Sequence, residues 1–475
     1  MDPILLARIQ FAATAAYHFC FVPINVGLGL IVALNVTRAN KTHAPEDIAH
    51  AKWWVKLFAI TFAVGIATGI TMEFSFGTNW ANYSRFVGDI FGAPLAAEAL
   101  LAFFMESTFL GVLLWGRNRV SDKFYTASGW LVFAGSALSC LWILIANSWM
   151  QTPAGYEVVG GKAVLTDFFA AAFNPSTLAR YTHTVTALII MGAFITIAIA
   201  AYHLRHKDKS FGAKQMRYGV IISIVAFLVM IPAMHAQASV VAEYQPEKLA
   251  AMEGQYEDGP VGMYLIGWVD EANQTTTGLE VPIPGMTSIL ASGNPETPYP
   301  GLNTSRNTFE ERIAEIHSNP DYLKDGEQFY QQVGSDELQA ADLTAPVNAT
   351  FQAYHLMVAI YGFIALWLIF ALIVSSKVKK GGQPSQGLLK ALMWAPIFPF
   401  IAIEAGWFTA ELGRQPWIVY NELLVVDAVS PAVDGVQLII TLLLFLVVYA
   451  FLMFMFFKNA LRHIKEGPAL EGEVK

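Results

Sequence analysis

The stretch YTHTVTALIIMGAFITIAIAAYHL, residues 181–204, decides the class of fold. It contains no Asp, Glu, Lys or Arg. A helix needs roughly 20 mostly apolar residues, each rising about 1.5 Å, to cross the hydrocarbon of a bilayer. This stretch is long enough, so it predicts a membrane-spanning helix.

Eight other runs have the same character, and together they predict an all-α integral membrane protein with nine transmembrane helices. The composition agrees, because only 14% of the 475 residues are charged, against about 25% in soluble domains. No internal repeat is evident. The nine predicted spans cover about 9–36, 54–75, 93–116, 125–148, 181–204, 217–238, 351–376, 390–412 and 435–458.

Charge and cysteine content exclude other classes of protein. The formal net charge is −8 and no dense basic patch occurs, so no nucleic-acid partner is expected. Cys20 and Cys140 both lie within apolar runs, which argues against a disulfide framework. The N-terminal MDPILLARIQF lacks the basic region, short apolar run and small-residue cleavage site of a secretory signal, so we expect no removed leader.

Basic residues orient the predicted bundle. They concentrate in alternate connections, and the positive-inside rule places those connections in the cytoplasm. The N-terminus is therefore expected outside, the C-terminus in the cytoplasm, and the long 239–350 connection outside. The cytoplasmic set holds 20 of the 29 positive residues, namely Arg38, Lys41, Lys52, Lys56, Arg117, Arg119, Lys123, Arg205, Lys207, Lys209, Lys214, Arg217, Lys377, Lys379, Lys380, Lys390, Lys458, Arg462, Lys465 and Lys475.

The chain divides into three parts on this topology. Residues 1–238 hold helices one to six, residues 239–350 form an outer loop, and residues 351–475 hold helices seven to nine with a short cytoplasmic tail. A connection as long as the outer loop is usually functional or disordered. Ala and Glu or Gln at helical spacing predict a helix from Pro246 to Glu257.

Ionisable groups at membrane depth are costly, so each is a candidate functional residue. The alternative for each is a hydrogen bond to a neighbouring helix, or a protonated glutamate bonded within the bundle. The candidates are His18, His183, Glu98, Glu106, Glu404 and Glu411.

His183 and Met357 open the fifth and seventh predicted spans at the same outer depth. A His and a Met facing each other across a bundle suit a six-coordinate, low-spin haem. Met alone is a common core filler and the chain has 15 of them, so the pairing carries the inference. His18 could hold a second haem through one axial bond.

Two pairs of glutamates share helices. Glu404 and Glu411 are about two turns apart and lie on one helix face. Glu98 and Glu106 are about 12 Å apart along an α-helix and some 80° apart around it. Waters or side chains such as Ser107 would have to bridge that gap. A row of carboxylates leading toward haems at the outer face predicts a proton path.

Five blocks of sequence resemble subunit I of the cytochrome bd-type quinol oxidases, in the order expected for that family. The resemblance extends over the whole membrane portion, and the compact loop resembles the short quinol-loop variety. The blocks are LARIQFAATAAYHFCFVPINVGL (6–28), GIATGITMEFSFGTNW (65–80), GDIFGAPLAAEALLAFFMESTF (88–109), LWILIANSWMQTPAG (141–155) and EAGWFTAELGRQPW (404–417).

The resemblance implies three haems: a low-spin haem b, a high-spin haem b, and a haem d or a third haem b. His183 and Met357 match the ligands of the low-spin haem. His18 and Glu411 match the axial ligands of the two high-spin haems, and which ligand holds which haem is left open.

The resemblance also implies roles around these haems. Glu98 matches the carboxylate beside the oxygen-reactive haem, and Glu106 matches the next position of the proton path. Arg414 and Arg8 are expected to neutralise haem propionates, which suits a guanidinium. Trp407 is expected to pack against a macrocycle, with ordinary core packing as the alternative.

Lys248 and Glu253, in the loop segment EKLAAME, match the pair that contacts quinol in the family. A carboxylate can accept a hydroxyl proton, and a cation can hold the oxygen as charge develops. His355 departs from the family pattern, which has an arginine two residues before the methionine.

The expected activity is oxidation of quinol at the outer face and reduction of dioxygen to water with cytoplasmic protons, which generates proton motive force without pumping. The resemblance implies a second membrane subunit, a small single-helix accessory subunit, and a bacterial cytoplasmic (inner) membrane location. A proton-coupled secondary transporter without haem, or a structural subunit that has lost its haems, are the alternatives. A transporter predicts an inverted repeat, and a degenerate subunit predicts broken haem ligands.

Overall fold

The computed structural model of the chain describes residues 3–206, 208–320, 322, 324–325, 328–329 and 345–470. The expected loop residues 330–344 and tail residues 471–475 lie outside the described part. Among the described residues, nine segments are long and apolar enough to cross a membrane, which confirms the predicted number. These segments are Pro3–Thr42, Pro45–Asn79, Gly88–Trp115, Asp122–Gln151, Thr177–His206, Lys209–Tyr244, Val347–Lys379, Gln386–Leu412 and Gly435–Glu466.

Most spans are longer than predicted, because charged and aromatic residues beyond the apolar core continue the same helices. The spans consist of α1 (Pro3–Phe19) with α2 (Val22–Thr42), α3 (Pro45–Asn79), α5 (Gly88–Ala97) with a π-helix (Glu98–Phe103) and α6 (Phe104–Trp115), α7 (Asp122–Gln151), α9 (Thr177–His206), α10 (Lys209–Tyr244), α14 (Val347–Lys379), α15 (Gln386–Leu392) with α16 (Ile397–Leu412), and α18 (Gly435–Glu466).

Shorter elements connect the spans. The helices are α4 (Ala81–Phe86), α8 (Phe168–Ala172), α11 (Pro246–Glu253), α12 (Met286–Ser292), α13 (Leu302–Ser318) and α17 (Val425–Ala428). The strands pair as antiparallel two-stranded ribbons, namely β1 (Tyr156–Val159) with β2 (Lys162–Leu165), β3 (Gly259–Pro260) with β6 (Pro298–Tyr299), β4 (Tyr264–Asp270) with β5 (Thr275–Glu280), β7 (Lys324–Asp325) with β8 (Gln328–Phe329), and β9 (Trp417–Val419) with β10 (Leu423–Leu424).

The first span is broken immediately after His18. Pro23 has no N–H to donate to the carbonyl four residues earlier, and the chain passes the break in a tight turn in which Phe21 N–H donates to His18 O at 3.0 Å. The break ends α1 at Phe19, so His18 lies on the last turn of a helix inside the bundle.

Small residues bring α2 and α9 together in the bundle core. A Cβ atom at Gly192 would lie 2.3 Å from the backbone carbon of Gly27, and one at Gly27 would lie 2.6 Å from the Cα of Gly192. Glycine pairs of this kind let transmembrane helices approach backbone to backbone. The contact fixes α9, and with it His183, against the first span.

The loop folds over one end of the bundle, which we call the loop end. Three helices end there, at Gln151, Tyr244 and Leu412, and α14 begins there at Val347. Helix α11 stops at Glu253 and does not reach Glu257 as expected, because Gly254 adopts a left-handed φ of 63°. It packs against α14 and α13, and so lies directly above the helices that carry the candidate site.

Candidate functional site

His18 presents one ring nitrogen away from its hydrogen-bond partner. Its Nδ1 lies 2.8 Å from Thr68 Oγ1, and that hydroxyl donates in turn to Gly65 O at 2.9 Å. Thr68 is therefore the acceptor for His18, which assigns the proton to Nδ1 and leaves the Nε2 lone pair free. A hydrogen bond from Nδ1 that fixes the ring in this way is typical of a histidine that ligates a metal through Nε2.

His183 and Met357 lie on α9 and α14, and α16 packs against both helices. The Nδ1 atom of His183 is buried and has no hydrogen-bond partner among the described residues. Met357 lies against α16, where a Cβ at Gly406 would come within 2.9 Å of the Met357 sulfur. His183 thus has a ring nitrogen without a competing hydrogen bond, and the Met357 sulfur faces the backbone of α16.

Glu411 ends α16 within a buried polar network. Its Oε2 accepts from Arg414 Nη2 at 2.6 Å, and its Oε1 accepts from Asn147 Nδ2 at 3.0 Å. Arg180 donates to Asn147 Oδ1 at 3.2 Å. Donors from its own helix end and from α7 therefore engage both carboxylate oxygens of Glu411.

Arg8 and Trp407 connect the first span to the GRQPW segment. The Arg8 guanidinium donates to the side-chain oxygen of Gln415, the neighbour of Arg414. The Trp407 ring lies 5.8 Å from the ring of Phe19, the residue after His18. The expected ligand and propionate-binding residues of the first and eighth spans are thus brought to the same region.

Glu98 and Glu106 reach the same neighbouring helix. Six residues of π-helix begin at Glu98, so the angle of some 80° expected for a regular α-helix does not apply. Ser139 donates to Glu98 at 2.8 Å, and Ser136 donates to the buried Glu106. Two serines one turn apart on α7, which sequence spacing did not suggest, line the gap between the carboxylates.

Ser107, the expected bridge between these carboxylates, forms its hydrogen bond elsewhere. The Ser107 hydroxyl donates to Phe103 O, in its own helix, at 2.8 Å.

Lys248 and Glu253 are both buried, and they face different groups. The Lys248 ammonium donates to the side-chain oxygens of Gln151 and Gln245, the latter at 2.7 Å. Glu253 accepts from the hydroxyl of Thr287 and lies 3.2 Å from His355 Nε2. The structure therefore does not bring the two expected quinol residues together.

Burial raises the pKa of Glu253 above its usual range, although His355 and the hydroxyls of Thr287 and Tyr354 act in the opposite direction. A carboxylate with a raised pKa takes up a proton more readily than a solvated glutamate does. That is the property required of a general base.

The residues present fit haem on two observations. His18 bonds Thr68 through Nδ1 and keeps Nε2 for a ligand, and the Nδ1 of His183 is buried without a hydrogen-bond partner among the described residues. The Nε and Nη1 atoms of Arg414 are buried without an acceptor among the described residues, which suits the carboxylate side chains of the macrocycle. In the described part of the chain, no three His, Cys, Asp or Glu side chains come together as a group that could hold a metal ion.

Sequence reasoning missed four residues of this region. Ser136, Ser139 and Asn147 lie on α7, and Arg180 lies on α9, one turn before His183. Asn147 falls within the quoted block 141–155, so that block contained a signal. The two serines and Arg180 carry no motif, and their contacts become visible only when the helices pack.

Comparison with known proteins agrees with the geometry. A family model described as cytochrome bd terminal oxidase subunit I matches residues 6–468. The chain is 35% identical over 474 residues to cytochrome bd ubiquinol oxidase subunit 1 of Bacillus subtilis (strain 168), an alignment that covers 98% of this chain and 94% of that protein. It is 36% identical over 484 residues to cytochrome bd-II ubiquinol oxidase subunit 1 of Escherichia coli (strain K12), covering 94% and 93% of the two chains.

A solved structure described as that of bd oxidase from Geobacillus thermodenitrificans has the same fold. The TM-score is 0.82 at 27% sequence identity, and the match covers 98% of this chain and 99% of that chain. The family model, which matches residues 6–468, and relatives that are 35% and 36% identical show that this chain belongs to the cytochrome bd terminal oxidase subunit I family.

Proposed function

We propose that this chain is the haem-bearing catalytic subunit of a quinol oxidase that reduces dioxygen to water. Members of the family are haem proteins, and the family name implies a second subunit. In our proposal His183 and Met357 ligate a low-spin haem b. His18 and Glu411 would hold the two high-spin haems, one a haem b and the other a haem d or third haem b, in either order.

The observation that carries the proposal is the position of Glu253. Its carboxylate lies 3.2 Å from His355 Nε2, and His355 is two residues from the ligand Met357 on α14. A proton acceptor thus lies next to the helix segment that holds an electron acceptor. Oxidation of a quinol releases protons and electrons together, so it needs both at one place.

Haem, when bound, supplies reversible one-electron storage and an iron position for dioxygen. The protein supplies proton transfer and charge. Glu253 accepts a proton from a quinol hydroxyl at the loop end. Glu106 and Glu98, held by Ser136 and Ser139, pass protons along α7 toward the haem region.

The charge distribution supports an outer location for the loop end. The basic connections lie at the opposite end of the bundle, which the positive-inside rule places in the cytoplasm. Quinol protons then leave outside, while protons for water enter from the cytoplasm, and proton motive force arises without a pump. We propose a bacterial cytoplasmic membrane location and, besides subunit II, a small single-helix accessory subunit.

Oxygen uptake by the purified complex tests the quinol site. Wild-type complex is expected to consume one dioxygen for every two quinols oxidised. Glu253→Gln removes the proton acceptor and is expected to lower quinol-driven uptake by 10²-fold or more, roughly the contribution of a general base. Uptake driven by an artificial electron donor should persist, and equal loss with both donors would contradict a role in quinol oxidation.

The pH profile follows from the raised pKa of Glu253. The acceptor must be ionised, so kcat/KM for quinol should rise with pH until Glu253 is deprotonated and then level. Because the pKa is raised, the fall on acidification should begin at a higher pH than for a solvated glutamate. If kcat/KM falls in the same way at acidic pH in Glu253→Gln, the titration of another group causes that fall.

A further inference from the structure

The hairpin of β4 and β5 exposes an apolar face at the loop end. Ile266 and Trp268 of β4 and Leu279 of β5 are 62–75% exposed, and Leu265 and Ile283 beside them are about half exposed. Ile266 pairs with Leu279 in the ladder, so their side chains lie on the same face. Contiguous apolar surface of this kind usually marks a contact with another protein or with a membrane.

The hairpin is fixed along the first two turns of α14. At the hairpin turn, Glu271 accepts from the backbone N–H of Asn348 at 2.8 Å. At the open end, the Tyr264 ring lies 6.5 Å from the ring of His355. Asn348 and His355 are two helical turns apart. The hairpin turn therefore lies at the start of α14, and the open end lies two turns further along the helix.

The depth of the open end follows from the length of the apolar run in α14. Lys377 is the first charged residue beyond that run, at the far end of the helix. About 20 helical residues cross the hydrocarbon of a bilayer, so counting back from Lys377 places its boundary near Met357. His355 lies just outside this boundary. The open end of the hairpin is therefore level with the junction of lipid headgroups and hydrocarbon.

The apolar face of the hairpin continues into the exposed surface of α14. Gln352 donates to Gly267 O at 2.8 Å, so Gln352 faces the hairpin. Leu356 and Phe363 lie four and eleven residues further on, on the same face of the helix, and are 47% and 49% exposed. The hairpin thus lies directly above the part of α14 that faces hydrocarbon.

The polarity of the hairpin changes along its length in the order that a membrane requires. The turn carries the exposed polar residues Glu271 and Asn273. Ile266 and Leu279 lie nearer the open end, and Trp268 lies between them and the turn. Tryptophan is enriched at the membrane–water interface, because its ring is apolar and its N–H is polar. Polar, amphipathic and apolar residues therefore follow one another from the start of α14 inward.

A carboxylate at the open end is directed to the other side of the hairpin. Glu280 pairs with Tyr264 in the ladder and interacts with its hydroxyl. The Tyr264 ring lies 5.7 Å from the ring of Phe351 on α14. The pair therefore faces α14, away from the apolar face.

This inner side of the hairpin packs against the candidate quinol site. The Thr276 hydroxyl donates to the carbonyl of Gly254, the residue after Glu253, at 2.6 Å. Tyr264 lies beside His355, whose Nε2 is 3.2 Å from the Glu253 carboxylate. The hairpin is therefore the wall of the Glu253 site on this side.

We propose that the outer face of the β4–β5 hairpin is embedded in the lipid leaflet at the loop end, and that this contact holds the wall of the Glu253 site against the bilayer. Lipid is the occupant because the polarity of the hairpin follows the depth along α14, an order that a contact with a second protein does not require. The link between this anchor and quinol access rests on the proposed function, whereas the lipid contact does not.

Fluorescence quenching tests the lipid contact in the purified two-subunit complex, reconstituted in phosphatidylcholine nanodiscs. Ile266→Cys, on the apolar face, and Ala272→Cys, in the polar turn, each carry an environment-sensitive fluorescent label. Treated wild-type complex gives the background from Cys20 and Cys140. The label in Ile266→Cys should lose emission with a doxyl-labelled lipid and not with aqueous iodide, and the label in Ala272→Cys should show the reverse.

Two results of this measurement would overturn the proposal. Equal quenching of both labels by iodide would mean that the apolar face lies in water. Protection of the label in Ile266→Cys from both quenchers would mean that a protein surface covers the hairpin. Both substitutions replace exposed side chains, so the complex is expected to assemble.

Steady-state kinetics tests the link to the quinol site. Ile266→Asn combined with Leu279→Asn makes the outer face polar, which should raise severalfold the KM for a long-tailed quinol supplied from the bilayer. The haem spectrum and the oxygen uptake driven by an artificial electron donor should stay unchanged. Thr277→Asn, a polar exchange opposite Trp268 on the same face, is the matched control and should leave the KM unchanged.

An unchanged KM in the double variant would overturn the link between the anchor and the site. A wild-type complex that oxidises no quinol would contradict the proposed function instead, and the quenching result would still decide whether the hairpin lies in lipid.

Discussion

At the scale of single residues, the hydrogen bond from His18 to Thr68 decides which ring nitrogen is available. Thr68→Val keeps the shape of the side chain and removes the acceptor. We expect weaker binding of the haem at His18, by roughly tenfold or more, as for other partners of metal-ligating histidines. Haem content and the spectrum of the purified complex measure this, with Thr68→Ser as the control that keeps the hydroxyl.

Full haem retention and an unaltered spectrum in Thr68→Val would show that the Thr68 hydroxyl does not orient the His18 ring.

Glu106 is the residue on which proton delivery depends in the proposed function. It is 6% exposed and bonded to Ser136, so its carboxyl group is shielded from bulk water that could carry the proton instead. Glu106→Gln keeps the shape and hydrogen bonding but cannot carry a proton. Oxygen reduction should slow by about 10²-fold or more, while all three haems remain bound. Oxygen uptake and a haem spectrum measure the two quantities, and loss of haem with the slower rate would contradict the proton-path role.

At the scale of elements, the contact between α2 and α9 sets the position of His183. Gly192→Ala adds a Cβ 2.3 Å from the Gly27 backbone, so the helices must separate. We expect the free energy of unfolding to fall by at least the usual cost of overpacking, about 1–3 kcal/mol. A lower Tm of the purified complex would show this.

Gly362→Ala is the matched substitution on α14, where an added Cβ meets nothing within 4 Å. It should leave the Tm unchanged or raise it slightly. An equal Tm for the two variants would mean that the α2–α9 contact does not hold the bundle together.

The sequence predicted the existence of the nine spans but not their internal breaks. Long apolar runs predict a helix because hydrocarbon offers no hydrogen-bond partners, so the backbone must satisfy its own N–H and C=O groups. The break after His18 depends on Pro23 and could have been anticipated, as could the end of α11 at Gly254. The π-helix at Glu98 has no proline or glycine within it, so its sequence carries no helix-breaking residue that would have predicted it.

At the scale of the whole molecule, the sequence motifs predicted the candidate site residues better than they predicted the contacts between those residues. Arg8 and Gln415 are separated by nearly the whole chain and still bond to each other. Lys248 and Glu253 are close in sequence and face different helices. The family match supports an oxidase over a transporter that would use the membrane carboxylates.

A reduced-minus-oxidised absorption spectrum of the purified chain with its second subunit tests the central claim most directly. The account predicts haem absorbance changes from three haems, including a low-spin haem b signal that is lost in Met357→Leu. A far-red band would identify haem d, and its absence would identify a third haem b. A complex that is folded and intact but shows no haem absorbance change would contradict the account.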